Sequence, residues 1–101
     1  MNNNSKMSRA QIEALKNSVN VHNFYMQETG SAGAANSGGW AKAGLCPFHQ
    51  DERKGNFVFH SEKGAYKCFA CGEKGGDIIT FLMKKHNLPF MKAVEALKGR
   101  G

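Results

Sequence analysis

Four side chains that can bind a transition metal lie in two closely spaced pairs. Two residues separate Cys46 from His49 and Cys68 from Cys71, and eighteen residues lie between the pairs. A two-residue spacing lets one tight turn direct both side chains at one ion, and two such turns supply the four tetrahedral ligands that Zn²⁺ prefers. Three thiolates and an imidazole suit zinc better than calcium or magnesium. The sequence therefore predicts one structural Zn²⁺, because four protein ligands leave no open position for catalysis.

The three cysteines allow two other interpretations. A disulfide framework is excluded because three is an odd number and each pair is too close in sequence to staple a domain. The remaining alternative is three unpaired buried cysteines beside a surface histidine. The paired spacings favour the metal site over this alternative.

The length and charge of the chain restrict its class. With 101 residues it is expected to form one domain with tails, and its formal charge is +6. The charge stays positive after a zinc site with three thiolates is counted, and a basic surface favours polyanions such as nucleic acid. No apolar run approaches the roughly 20 residues of a membrane span, and the polar N-terminus lacks the core of a signal peptide. These features predict a cytoplasmic protein with no membrane partner.

The chain divides into three predicted segments. Residues 1–29 contain a polar tail and two short helices, the first starting in a capping box at Ser8 and the second ending by Gly30. Residues 30–39, rich in glycine, serine and alanine, are predicted to be a flexible linker without packing groups. Residues 40–101 hold the two metal pairs and two further helices, which begin near Asp77 and Pro89.

Three short strands are predicted around the metal pairs. They cover Trp40–Leu45, Phe57–His60 and Ala65–Cys68. A four-residue turn between the last two would place Phe57 opposite Cys68 and Phe59 opposite Tyr66, and residues 72–76 are expected to form a turn. The predicted fold is a small zinc-bound α+β domain, in which a zinc ribbon with a short antiparallel sheet is flanked by N- and C-terminal helices.

Several stretches together resemble the N-terminal zinc-binding domain of bacterial and phage DNA primases. They are LCPFH, FVF, AYKCFACG, IITFLM and FMKAVEAL, and the resemblance covers about residues 39–97. It places the family's Cys-His-Cys-Cys zinc ligands on the same four residues, Cys46, His49, Cys68 and Cys71. This chain departs from the family at Gly55-Asn56, where Pro-Ser is usual, and in its glycine-rich segment.

The resemblance implies a function in replication priming. A module of this type engages single-stranded template DNA, and the strand and loop residues predicted to contact it are Lys42, Lys54, His60 and Lys67. The resemblance does not extend to the toprim catalytic core, so no catalytic residue is predicted and polymerisation by this chain alone is not expected. A separate primase catalytic subunit or a replicative helicase is the expected protein partner. The alternative function is a zinc-ribbon adaptor that regulates a replication protein.

Overall fold

A computed structural model describes residues 7–100, which form four helices and one four-stranded sheet. The helices are α1 (Arg9–Ser18), α2 (Val21–Thr29), α3 (Ile78–Lys85) and α4 (Phe90–Lys98). The strands are β1 (Trp40–Lys42), β2 (Phe57–His60), β3 (Tyr66–Cys68) and β4 (Lys74–Gly75). The sheet is antiparallel throughout, in the order β1-β2-β3-β4. The predicted α+β class is confirmed, and no helix within the described residues is long and apolar enough to cross a bilayer.

The helix starts follow local side-chain chemistry. Ser8 and Gln11 form the predicted capping box at α1, in which each side chain accepts a hydrogen bond from the other's backbone N–H. Asp77 caps α3 by accepting the Thr80 N–H at 2.8 Å. The Asp77 carboxylate also pairs with Lys16 of α1 at 3.1 Å, so one side chain joins two helices.

The register between β2 and β3 is the predicted one. Phe57 lies opposite Cys68 and Phe59 opposite Tyr66, because the turn after His60 has the expected length. Three predictions about the sheet differ from the structure, and in the first of them β3 begins at Tyr66 rather than Ala65. β1 ends at Lys42 rather than Leu45, and residues 74–75, expected in a turn, form the edge strand β4.

One aromatic cluster holds the sheet against the helices. Phe81 of α3 packs edge-on against the rings of Tyr25, Phe24 and Tyr66, with centroids 5.1–5.6 Å apart. The Tyr25 hydroxyl donates a 2.6 Å hydrogen bond to the Gly64 carbonyl, which satisfies the polar end of a buried ring. Helix α2 therefore belongs to the same core as the sheet.

Residues 30–39 make contacts with the domain that their composition did not indicate. Ala32 forms a bridge with Ala43 and packs against the core. The Gly33 N–H donates to the Lys42 carbonyl at 2.8 Å, so the segment runs back along β1. These contacts leave its exposed part at residues 33–38. The predicted polar tail falls mostly in residues 1–6, outside the described part of the chain.

The flexibility of residues 30–39 stays a prediction, and limited proteolysis will test it. We expect proteases to cut first at the exposed residues 34–35, which lie between Gly33 and Asn36, two residues whose backbone N–H groups are hydrogen-bonded to β1. Because Phe24 and Tyr25 are buried in the common core, the N-terminal piece should stay bound after the cut. Native size-exclusion chromatography should show one species and a denaturing gel two fragments. Release of the N-terminal piece under native conditions would contradict this packing.

The end of α2 lies against the backbone just before the first metal pair. The Gly44 N–H donates to the Thr29 hydroxyl at 2.8 Å, and that hydroxyl donates to the Tyr25 carbonyl at 2.8 Å. A Cβ atom at position 44 would overlap the Thr29 carbonyl oxygen. Only glycine fits this close approach between α2 and the chain leading to Cys46.

A buried carboxylate ties α2 to the C-terminal helices. Glu28 has a side chain only 4% exposed, and it pairs with Lys85 at 2.8 Å, with His86 at 3.0 Å, and with Arg100. Burial alone would raise the pKa of Glu28, but hydrogen bonds from these three residues outweigh burial and hold that pKa below its ordinary value. Lys85 is therefore part of the structure rather than a free surface cation.

Candidate metal centre and the outer face of the sheet

The four predicted ligands converge on one point. The ligand atoms of Cys46, His49, Cys68 and Cys71 all lie within 4.8 Å of one another. The Cys46 and Cys71 sulfurs are 3.9 Å apart, and the Cys68 sulfur is 4.0 Å from His49 Nδ1. Metal–ligand bonds of about 2.0–2.3 Å imply tetrahedral edges of about 3.3–3.8 Å. The observed separations, of up to 4.8 Å, are wider than these edges, and the donor set fits Zn²⁺.

Backbone hydrogen bonds shape the turns that present these ligands. In the first turn, the Phe48 N–H points at the Cys46 sulfur at 3.4 Å. In the second, the Gly72 N–H donates to the Cys68 carbonyl at 3.0 Å, and Cys68 is itself the last residue of β3. The sheet thus positions one ligand pair, while the loop after β1 carries the other.

The thiols have unequal environments. Burial raises the pKa of Cys46 above that of a free thiol. Burial would also raise the pKa of Cys68, but the backbone N–H groups of Cys71 and Ala70 outweigh it and lower that pKa. A cation that binds these sulfurs displaces the thiol protons, so metal binding releases protons.

Asp51 is a residue of this site that the sequence analysis did not identify. Its side chain is only 3% exposed, and its Oδ2 accepts the Cys46 N–H at 2.9 Å. Its Oδ1 lies 3.7 Å from His49 Nε2 and accepts from the Asn56 amide at 3.2 Å. The Cys46 N–H holds the pKa of Asp51 below its ordinary value. At 3.7 Å this carboxylate is too far away to hydrogen-bond the His49 ring, whose Nδ1 lies toward the Cys68 sulfur.

The face of the sheet opposite the aromatic core carries a row of lysines. The Lys67 ammonium lies 4.5 Å from the centre of the Trp40 ring and 5.3 Å from that of Phe69. These cation–π contacts hold the central charge of the row in place. We call this surface the outer face. The register aligns four of its residues on successive strands, namely Lys42, Val58, Lys67 and Lys74.

Three of the four residues predicted to contact DNA, Lys42, His60 and Lys67, lie on the outer face. Lys42 is exposed on β1 and Lys67 is half-buried on β3, whereas Lys54 is exposed in the loop between β1 and β2. The His60 ring lies 5.4 Å from that of Trp40. However, His60 Nδ1 accepts the backbone N–H groups of residues 62 and 63, at 3.2 and 3.1 Å. His60 therefore has a structural role in the β2–β3 turn.

A largely apolar groove of about 560 Å³ opens on the outer face. Val58 forms part of its lining, together with residues from the 33–36 segment, β1 and β3. Phe69 lines the groove and is 67% exposed, although it is a large aromatic residue. Trp40 and Phe69 were not among the predicted contact residues. The available signal was the position of Phe69 between Cys68 and Cys71, because a spacer residue in such a turn points away from the metal.

Known proteins share this sequence and this fold. The model of the CHC2 zinc finger family matches residues 7–100. The crystal structure of the Aquifex aeolicus primase, comprising zinc-binding and RNA polymerase domains, superimposes on 93% of this chain with a TM-score of 0.67 and 26% identity. The matched region corresponds to 22% of that protein's chain.

Curated DNA primases are similar to this chain at a higher sequence identity. The DNA primase of Streptomyces coelicolor is 51% identical over 65 residues, which are 64% of this chain and 10% of that protein. The DNA primase of Lactococcus lactis is 37% identical over 86 residues, or 85% of this chain and 13% of that protein. The chain thus spans about a tenth of the length of the curated relatives it matches.

Proposed function

Because the chain belongs to the CHC2 zinc finger family, as its resemblance to primase zinc-binding domains predicted, we propose that it binds one Zn²⁺. The convergence of four borderline-soft ligand atoms supports this proposal. Four protein ligands complete a tetrahedral shell, so the ion serves to hold the two turns together. Asp51 supports the same site by accepting the backbone N–H of Cys46. The proposed ligands are Cys46, His49, Cys68 and Cys71.

The proposed activity of the module is to engage single-stranded template DNA during replication priming. The observation that carries this proposal is the position of Lys67, whose ammonium lies near both the exposed Phe69 ring and Trp40, beside an apolar groove. Proteins that bind single strands combine cations for the phosphates with aromatic rings for the bases. The outer face offers both, and within residues 7–100 no acidic side chain lines its groove.

We expect the same surface to favour a single strand over a double helix. Its aromatic side chains can stack only on bases that are not already stacked and paired. The groove volume of about 560 Å³ falls within the range of small-ligand sites, which suits nucleotides that leave the stack one or two at a time. In this arrangement Lys42, Lys54 and Lys67 contact the phosphates while Phe69 stacks on one base.

The proposed context is a primase reaction in the cytoplasm, to which this module contributes template contact. A primase catalytic subunit or a replicative helicase is the protein partner that this role requires. An adaptor that docks on a replication protein through Phe69 is the competing function, because an exposed aromatic side chain also suits a protein interface. Direct DNA binding distinguishes the two functions.

Lys67→Ala is expected to weaken binding to all single-stranded sequences to a similar degree. The lysine contacts phosphate, which carries no sequence information. For single strands, log K falls with log[salt] with a slope of about −0.7 for each phosphate neutralised. The variant should reduce the magnitude of this slope by up to about 0.7, the contribution of one phosphate contact. A salt titration of fluorescent oligonucleotides, followed by anisotropy, measures both effects.

Lys98→Ala provides the matched control for this titration. Lys98 is exposed in the last turn of α4 and does not belong to the outer face. Its removal lowers the net charge equally, so it should change affinity only slightly. Equal losses of DNA affinity in the two variants would show that Lys67 does not lie in the binding surface. Absence of binding at low salt in the wild-type protein would favour the adaptor function.

A further inference from the structure

We infer that Asn36 is a specificity-determining residue, which contacts the edge of one base in the bound single strand and favours a carbonyl group over an amino group there. This inference rests on the proposed binding of single-stranded DNA by the outer face. Thymine, uracil and guanine carry the favoured carbonyl, whereas cytosine and adenine carry an amino group at the same place. The inference assigns a recognition role to the glycine-rich segment, where the sequence departs from the primase pattern.

The Asn36 side chain is held by the turn that it closes. Its Oδ1 accepts the Gly38 N–H at 2.9 Å and the Trp40 N–H at 3.0 Å. Its backbone N–H donates to the Trp40 carbonyl at 2.8 Å, and its carbonyl accepts the Gly39 N–H at 3.0 Å. Gly39 has a φ of +88°, and a Cβ atom there would lie 2.6 Å from the His60 ring. The turn is therefore fixed against β1 and β2.

These bonds decide which atoms of the Asn36 amide remain for a ligand. An amide oxygen has two lone pairs, and the two backbone donors occupy both of them. The same two donors fix which end of the amide is the oxygen. Among residues 7–100 no acceptor binds the Nδ2 group, and Asn36 is exposed where it lines the groove. The side chain therefore offers a ligand two N–H donors and no acceptor.

A group that only donates discriminates between bases by their exocyclic substituents. Thymine O4 and guanine O6 accept a hydrogen bond, while cytosine N4 and adenine N6 are donors. A free asparagine pairs with adenine by using its oxygen and its nitrogen together. Asn36 cannot do so, because its oxygen is already bonded within the turn. Where the Nδ2 group faces cytosine N4 or adenine N6, it meets another donor, and the contact with that exocyclic group is lost.

The groove brings this donor close to the elements that hold the strand. Asn36, Lys67 and Phe69 line the same groove from the 33–36 segment and from β3 with the turn after it. A base stacked on Phe69 with its phosphate near Lys67 would direct its edge across the groove toward Asn36. The lysine and the ring contribute affinity for any sequence. Asn36 adds the contact that depends on the base.

A comparison of two homopolymers tests the inference on the unmodified protein. Uracil and cytosine differ in the exocyclic group at C4 and in the proton on N3, and both lack the methyl group of thymine. Fluorescent oligodeoxyuridylate and oligodeoxycytidylate of equal length should therefore be compared by anisotropy at low salt. One hydrogen bond corresponds to a preference for the uracil strand of roughly 2- to 10-fold. Equal affinity for the two strands would overturn the inference while leaving the proposed binding of single strands intact.

The variant Asn36→Asp tests whether Asn36 causes the preference for the uracil strand. An aspartate oxygen can still accept the Gly38 and Trp40 N–H groups, so the turn should be kept, but the Nδ2 donors are replaced by an acceptor. The preference should reverse in favour of cytosine. Ser37→Asp is the matched control, because it adds the same charge at the neighbouring exposed residue. Ser37→Asp should weaken the binding of both strands equally and keep the wild-type preference for the uracil strand.

The outcomes separate the inference from the function on which it rests. A preference for uracil that persists in a folded Asn36→Asp variant would overturn the role of Asn36. Failure of the wild-type protein to bind either strand would overturn the proposed function and the inference together. Circular dichroism and zinc content report whether the variant folds. If it does not, the wild-type comparison still decides whether a carbonyl is preferred.

Discussion

Replacing Cys68 with serine is expected to abolish stable folding near neutral pH. The change removes one of four proposed zinc ligands, and a structural zinc site contributes on the order of 10 kcal/mol of apparent folding free energy. A domain of this size buries only about 60–65% of its unfolded surface, so its core alone leaves little stability in reserve. Elemental analysis should find one zinc per chain in the wild-type protein and almost none in the variant. Thermal unfolding followed by circular dichroism should lose its cooperative transition.

His49→Ala should behave like Cys68→Ser, and His60→Ala is its matched control. Both histidines are half-buried, but the His60 ring lies in the β2–β3 turn rather than among the metal ligands. Its loss removes two hydrogen bonds to backbone N–H groups, at a cost of about 1 kcal/mol each. The control should keep its zinc and unfold cooperatively at a lower temperature. An unchanged melting temperature in Cys68→Ser, or loss of zinc from His60→Ala, would refute the proposed ligand set.

Phe81→Ala is expected to lower the free energy of unfolding by about 3–5 kcal/mol. The Phe81 side chain is fully buried, and its ring contacts aromatic residues from α2 and from the sheet. No single neighbour can move to fill the space, because the surrounding rings are themselves packed on one another. The loss is a large fraction of the 5–15 kcal/mol that stabilises a typical domain. Chemical denaturation in the presence of zinc measures it.

Phe90→Ala is the matched control for this cavity. Phe90 is the first residue of α4 and is 41% exposed, so water already reaches much of its ring. Its removal should cost no more than about 1 kcal/mol. Both variants should retain one zinc per chain, because neither residue is a ligand. Similar losses of stability in the two variants would show that the ring cluster around Phe81 does not stabilise the domain more than an exposed ring does.

Local chemistry explains the parts of the fold that the sequence predicts. The metal pairs, the capping box at Ser8 and the cap at Asp77 each involve residues within a few positions of one another. The register of β2 and β3 also follows from a short turn, which leaves one alignment that places Tyr66 on the same face as Phe57 and Phe59. Each of these features depends on residues that are close together in the sequence.

Distant contacts explain the parts that sequence reasoning missed. The carboxylates of Asp51 and Glu28 look like solvated groups in the sequence, and the folded chain buries both. Glu28 meets its three cations only after residues 85–100 pack against α2. Ala32 pairs with a strand whose position depends on the rest of the sheet. Composition and hydrophobic periodicity do not predict these contacts, because the two residues of each contact lie far apart in the chain.

The contacts of Lys67 have a thermodynamic consequence. A lysine side chain that becomes immobilised loses up to about 2 kcal/mol of rotational freedom at room temperature. The Trp40 and Phe69 rings already restrict Lys67 in the unbound domain, so part of this entropy is lost when the protein folds rather than when it binds. Lys42 and Lys54 are exposed and would lose theirs only on the proposed contact with DNA. Lysines with equal charge on one surface therefore differ in the entropy they would lose on binding a polyanion. That loss is smallest for Lys67, because its side chain is already restricted.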